Sequence, residues 1–67
     1  MGSVYKVVEL IGASEKSWED AAKLAVEKAS KSLRNLRIAE VKEMDIKLEE
    51  GNVLYRVRMN VSFKYED

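Results

Sequence analysis

Cysteine, histidine and proline are all absent from this 67-residue chain. Without Cys or His there is no disulfide framework, zinc finger, haem or iron–sulfur ligand set, and no Ser-His or Cys-His nucleophile pair. No apolar run approaches the ~18 residues of a membrane-spanning helix. No cationic stretch leads into an apolar segment near Met1, so no signal peptide is expected and the cytoplasm is the expected location. Net charge is missing too: 12 Lys and Arg balance 12 Asp and Glu, whereas tracking nucleic-acid phosphates needs a marked basic excess. What remains is a binding or structural module, read as a single domain over residues 1–67 with neither nucleic acid nor membrane as partner. A chain this short buries proportionately little surface. With disulfides and soft-metal sites excluded, oligomerisation is the stabilising device left to it.

Residues 4–11 (VYKVVELI) are rich in β-branched and aromatic types and predict a strand. Gly12, Ala13 and Ser14 are expected to break it. Ser17 followed by Asp20 is spaced as a capping box with Asp in place of Glu. Trp18, Ala22, Ala25, Ala29 and Leu33 then recur at helical spacing, with Lys23, Glu27, Lys28 and Lys31 on the solvated side. The helix is expected to end near Arg34 and Asn35, where cations suit the dipole and Asn accepts a left-handed cap.

A second strand is predicted over residues 37–48, a turn over 49–52 and a third strand over 53–65. In that last strand Val53, Tyr55, Val57, Met59, Val61, Phe63 and Tyr65 alternate with more polar residues. The order is β-α-β-β, an α+β fold whose three-stranded antiparallel sheet runs 1-3-2 with one helix on one face. The second strand breaks the alternation. Ile38, Met44, Ile46 and Leu48 share one parity with Glu40 and Lys42, while Ala39 and Val41 share the other with Arg37, Glu43 and Asp45. Two apolar faces imply that the outer one meets another subunit; the alternative is an edge strand whose charges block further pairing.

Residues 4–14 (VYKVVELIGAS), with Ser17, Glu19, Ala21 and Ala22 after them, resemble the opening of the dodecins. Residues 39–43 (AEVKE) and 61–64 (VSFK) resemble that family's second and third strands. The resemblance covers nearly the whole chain. It implies a hollow homododecamer in which each sheet partly wraps its helix, and a role in holding a ligand rather than turning it over. Many dodecins hold flavins, FMN or riboflavin, in pairs near two-fold axes, and some bacterial members bind coenzyme A. Three positions depart from the flavin-binding pattern. Ile38 stands where a tryptophan stacks on the flavin, which forfeits about 1 kcal/mol of aromatic pairing. Arg56 replaces a glutamine that both donates and accepts, and it can only donate. Asp45 stands where an arginine reaches cofactor phosphate, and it repels what arginine attracts. Ser17-Trp18-Glu19, Arg37-Ile38-Ala39 and Tyr55-Arg56 are similar instead to the calcium dodecin branch. The resemblance therefore implies a calcium-binding cage with weak or absent flavin binding. A flavin-storing dodecin and a purely structural shell are the alternatives.

Candidate chemistry rests on carboxylates. Calcium takes six to eight oxygen ligands, and the stretch from Glu49 to Asn52 is too short for an EF-hand loop. Glu43 and Asp45, two apart on a strand, face the same way and suit joint ligation across a symmetry axis. Glu15, before the helix, lies near a position where some dodecins place a metal-contacting acid. The alternative is that these acids pair with Arg37, Lys47 or Arg58. Arg56, Arg58 and Lys64 share a strand face and form a candidate anion site in the assembly for a nucleotide or coenzyme A phosphate; the alternative is that they are interface charges paired with acids of the next subunit. Trp18, on the apolar helix stripe, reads as a packing residue whose indole N–H needs a partner. No motif fixes an acid/base pair around a cleft, and no nucleophile stands out, so no enzyme activity is expected.

Overall fold

The computed structural model of the chain describes residues 2–64. Strand β1 (Tyr5–Ser14) leads into helix α1 (Trp18–Ala29), followed by strands β2 (Leu36–Glu49) and β3 (Asn52–Lys64). The sheet is antiparallel in the order β1-β3-β2, as the sequence predicts. Tyr65, expected at the end of the last strand, lies outside the described residues.

Helix α1 starts where its cap dictates. Ser17 is extended at φ −170 and its hydroxyl accepts from the Asp20 N–H at 2.9 Å. The Asp20 carboxylate does not complete the box; it accepts instead from the Ser14 hydroxyl at 2.6 Å, tying the strand end to the first helical turn. The helix ends at Ala29, earlier than the apolar spacing through Leu33 predicts. There the Ser30 hydroxyl bonds back to the Glu27 carbonyl at 2.8 Å, and the Leu33 N–H still reaches the Ala29 carbonyl from a turn. Asn35 does adopt the left-handed conformation, at φ 59, but at the entrance to β2 rather than at the helix end.

Gly12 does not break β1, which continues through Ser14 opposite Tyr55. The glycine serves a different end. A Cβ at this position would collide with the backbone carbonyl of Ala21 and come within 3.0 Å of the Ala25 methyl. Its absence lets α1 lie directly on the strand. The buried core is small: Ala21 from the helix and Val57, Met59 and Val61 from β3, with Val8, Leu10, Trp18, Ala22, Ala25, Val26 and Leu36 packed around them.

Strand β2 is not regular, and this corrects the expectation of two apolar faces. Its register against β3 shifts between Leu36 and Ile38 and again between Val41 and Glu43. Arg37 and Lys42 are the extra residues, and each insertion inverts the parity of what precedes it. As a result Val41 lies opposite Met59 and Met44 opposite Val57, so both face the helix side. Ala39, Ile46 and Leu48 join them through their partners Val61, Tyr55 and Val53, and only Ile38, opposite Ser62, is left among the apolar residues outside.

Beyond Ser14 the β2–β3 hairpin runs on alone. Its last rungs, Lys47–Leu54, Leu48–Val53 and Glu49–Asn52, have no β1 partner. The turn closes with Gly51 at φ 72. This arm gives the subunit its elongated shape, 53 × 21 × 14 Å.

The close helix–strand approach yields a direct test. Gly12→Ala is expected to lower unfolding stability by about 1–3 kcal/mol through overpacking against backbone, read from urea denaturation. Gly2→Ala, whose added methyl meets nothing within 4 Å, should leave the midpoint unchanged.

Candidate functional site

The outer face of the sheet, away from α1, is built in rows across the three strands. Val7, Ser62 and Ile38 form one row; Glu9, Asn60 and Glu40 the next; then Ile11, Arg58 and Glu43; then Ala13, Arg56 and Asp45. The last two rows place a carboxylate beside an arginine twice in succession. Arg56 grips Asp45 with both arms of its fork, Nε to Oδ1 at 2.7 Å and Nη2 to Oδ2 at 2.8 Å. Arg58 Nη1 lies 2.9 Å from Glu43 Oε1. A small recess of about 40 Å³ between them is lined by Ile11 and these four residues.

Hydrogen bonding from the Arg56 guanidinium holds the Asp45 carboxyl below the ordinary aspartate range; it outweighs desolvation, which acts the other way, and the charges of Arg56 and Arg58 add to the lowering. The same hydrogen bond pushes Arg56 up. Asp45 is therefore more acidic folded than unfolded. Its contribution to stability is present above the unfolded value and is lost as pH falls through the lowered one. Both side chains are well exposed, at 52% for Asp45 and 39% for Arg56, so solvent screens the pair.

Asp45 is also engaged from the other side of the sheet. Its backbone carbonyl accepts the Trp18 indole N–H at 3.1 Å. The Trp18 ring meets Tyr55 edge-on, with centroids 5.1 Å apart and an interplanar angle of 73°. Trp18 is thus the packing residue that its place on the helix predicts, with its N–H satisfied.

The structure brings some of the expected site residues together and separates others. Glu43 and Asp45 share the outer face, as their spacing requires. Glu43 takes Arg58, one of the expected partners, but Asp45 takes Arg56, while Lys47 pairs with Glu49 at 3.5 Å. The hairpin turn carries the signal for both arginine pairs, because Glu49 opposite Asn52 places 45 opposite 56 and 43 opposite 58. Glu15 is exposed in the connection after Ser14. Among the described residues no three carboxylates gather closely enough to hold a metal ion. Ile38 lies opposite Ser62, six positions along β3 from Arg56. At the rise of an extended strand that is about 20 Å, so Ile38, Asp45 and Arg56 do not converge within one subunit. Ile38 instead lines a shallow concavity of about 280 Å³ with Val7, Glu40, Asn60 and Ser62. Within one subunit Arg56 and Arg58 are held by carboxylates, and Lys64 stands at the far end of the face opposite Tyr5.

The family model described as Dodecin matches residues 4–66. The chain is 46% identical over 63 residues to the calcium dodecin of Mycobacterium tuberculosis, covering 92% of this chain and 89% of that protein. It is 44% identical over 68 residues to the dodecin of Thermus thermophilus, covering 100% and 99%. The crystal structure of the mycobacterial calcium dodecin, described as calcium chelating with a novel calcium-binding site, matches with a TM-score of 0.87 at 45% identity over 96% of this chain and 93% of that one. The dodecin of Streptomyces coelicolor matches with a TM-score of 0.90 at 32% identity over 97% and 94%.

Two measurements check the site's electrostatics and its support. In a carbon-detected NMR titration Asp45 is expected to protonate below the usual carboxylate range, and Arg56→Gln to move that midpoint upward; an unmoved midpoint would show that the pairing is not what lowers it. Trp18→Phe keeps an aromatic ring but removes the donor to the Asp45 carbonyl together with some packing volume, and is expected to cost at least about 1 kcal/mol in urea unfolding.

Proposed function

The chain belongs to the dodecin family, and from that premise we propose that it is a non-enzymatic, calcium-binding dodecin that acts as a homododecameric cage and holds flavin weakly or not at all. One observation carries the reading. The outer face presents Glu43 and Asp45 in adjacent rows, while the wall around Ile38 offers aliphatic and small polar groups with no aromatic ring to stack on.

Calcium asks for more oxygens than one subunit's two carboxylates supply, so the ion would sit where copies meet. Glu43 is the ligand best placed to reach it. Its contact with Arg58 uses Oε1, and the side chain is 64% exposed. Asp45, fixed by the Arg56 fork, adds negative charge and remaining lone pairs. Glu15 joins from a loop of the assembly. The arginines offset the mutual repulsion of these acids before the ion arrives. A second reading, a dodecin that holds FMN, riboflavin or coenzyme A, draws support from the Ile38 concavity, where the Asn60 amide both donates and accepts.

Native mass spectrometry of the gently purified protein separates these readings. A dodecamer with calcium adducts and no flavin or coenzyme A is the expected result. Calorimetric titration should then show at least a tenfold loss of calcium affinity in Glu43→Gln with the dodecamer intact. Flavin or coenzyme A adducts without calcium would overturn the calcium reading, and a dodecamer without affinity for either would leave a structural shell.

A further inference from the structure

Helix α1 lies on β1 and β3 but stands off from the edge strand β2. Between them an open gap of about 310 Å³ is lined by Trp18, Glu19 and Ala22 from the helix, Val41 and Met44 from β2, and Val57 from the centre of the sheet. Trp18 bridges this gap. Its indole N–H donates to the Asp45 carbonyl at 3.1 Å, while its ring meets Tyr55 edge-on.

The two ends of that hydrogen bond are held very differently. Trp18 is the first residue of α1, directly after the Ser17 cap, and the Ser14 hydroxyl ties Asp20 of the same turn to the end of β1. Asp45 is on an edge strand, three residues past the insertion at Lys42. It is one row short of Ser14–Tyr55–Ile46, the last row in which β1 takes part. Insertions of this kind bend and twist the strand that carries them. A carbonyl held from the helix side restrains the peptide that follows Asp45, and with it the direction in which the side chain leaves the strand.

We propose that Trp18 is a positioning residue for the outer face: by holding the Asp45 carbonyl from the helix side, its indole sets the angle at which the Asp45 carboxylate meets the Arg56 fork. The fork is demanding. Two parallel hydrogen bonds of 2.7 and 2.8 Å between a planar guanidinium and a planar carboxylate tolerate little rotation. Releasing the carbonyl therefore loosens the fork, and by linkage releasing the fork loosens the indole contact. In its consequence for a ligand the proposal rests on the calcium reading above. Trp18 touches no ion there, yet decides how Asp45 faces one, as outer groups commonly do for metal-binding side chains.

The charged groups around the Asp45 carboxyl are Arg56 and Arg58 from β3 and Glu43 on its own strand; β1 contributes the uncharged Ile11 and Ala13, and Glu19 of α1 lines the gap on the other side of the sheet. Trp18→Phe changes none of these charges, so a shifted Asp45 titration reports geometry. The expected result is that Trp18→Phe moves the Asp45 midpoint upward, towards the ordinary aspartate value, whereas Val41→Ala, which thins the same gap without removing a donor, leaves it in place. An unmoved midpoint in Trp18→Phe, or an equal shift in Val41→Ala, would overturn the proposal. The reverse direction is read with Trp18 in place, so it stands even if Trp18→Phe does not fold. The chain has one tryptophan, so its indole N–H gives a single NMR signal, and Arg56→Gln is expected to shift that signal and speed its exchange with solvent; an unchanged signal would overturn the coupling. Calorimetric titration with calcium chloride should show about a tenfold weaker affinity in Trp18→Phe with the oligomer intact. Unchanged affinity beside a shifted midpoint would overturn the role of Trp18 in holding the ion. Both spectroscopic shifts in a protein without calcium affinity would overturn the calcium reading and leave the positioning intact.

Discussion

The inner face of the sheet must be apolar to lie against α1, and β2 meets that demand by carrying one extra residue at Arg37 and another at Lys42. An unbroken register continued from the hairpin turn would place Lys42 opposite Met59 and Glu40 opposite Val61, setting two charges on the helix side of the sheet beside the core. The insertion at Lys42 seats Val41 and Ala39 there instead. The insertion at Arg37 does the same for Leu36 against Phe63. The outer rows divide at Lys42. The residues nearest the turn keep the turn's own register, which is why Asp45 and Glu43 face Arg56 and Arg58, while Ile38 and Glu40 reach the outer face only because the chain has shifted past Lys42.

Much of this was legible from residues alone, and the exceptions share a cause. The element order, the Ser17 cap, the alternation of β3 and the common face of Glu43 and Asp45 are local signals, and all appear in the structure. Gly12 read as a breaker because its purpose, room for the Ala21 carbonyl, lies in a contact distant in sequence. Leu33 extended the helical spacing, but Ser30 closes the helix with a side-chain bond that spacing does not register. The irregular parity of β2 read as two apolar faces, although a pair of bulges gives the same pattern with one. The partner of Asp45 was open to discovery through the two-residue turn. Whether Glu15 joins Glu43 and Asp45 was not, because one subunit does not bring the three together.

The family's common frame leaves the outer face free to change. The fold depends on Gly12, Ala21 and the β3 core residues, all on the helix side, whereas Ile38, Asp45 and Arg56 are on the other. Substitutions at those three positions alter what the face attracts without touching what holds the sheet to its helix. This separation is the physical basis on which one architecture can carry outer faces of different chemistry, here an acidic, arginine-paired one.

Asp45 is the residue at which the two sides of the sheet communicate. Its side chain belongs to the outer rows, yet its backbone carbonyl holds the ring of the chain's one tryptophan on the inner side. An ion or anion that competes for the Asp45–Arg56 fork therefore tugs on a peptide group to which an indole is tethered. The colour of Trp18 emission should therefore report whether the Asp45–Arg56 pair is intact, in the unmodified protein, with no dye and no label.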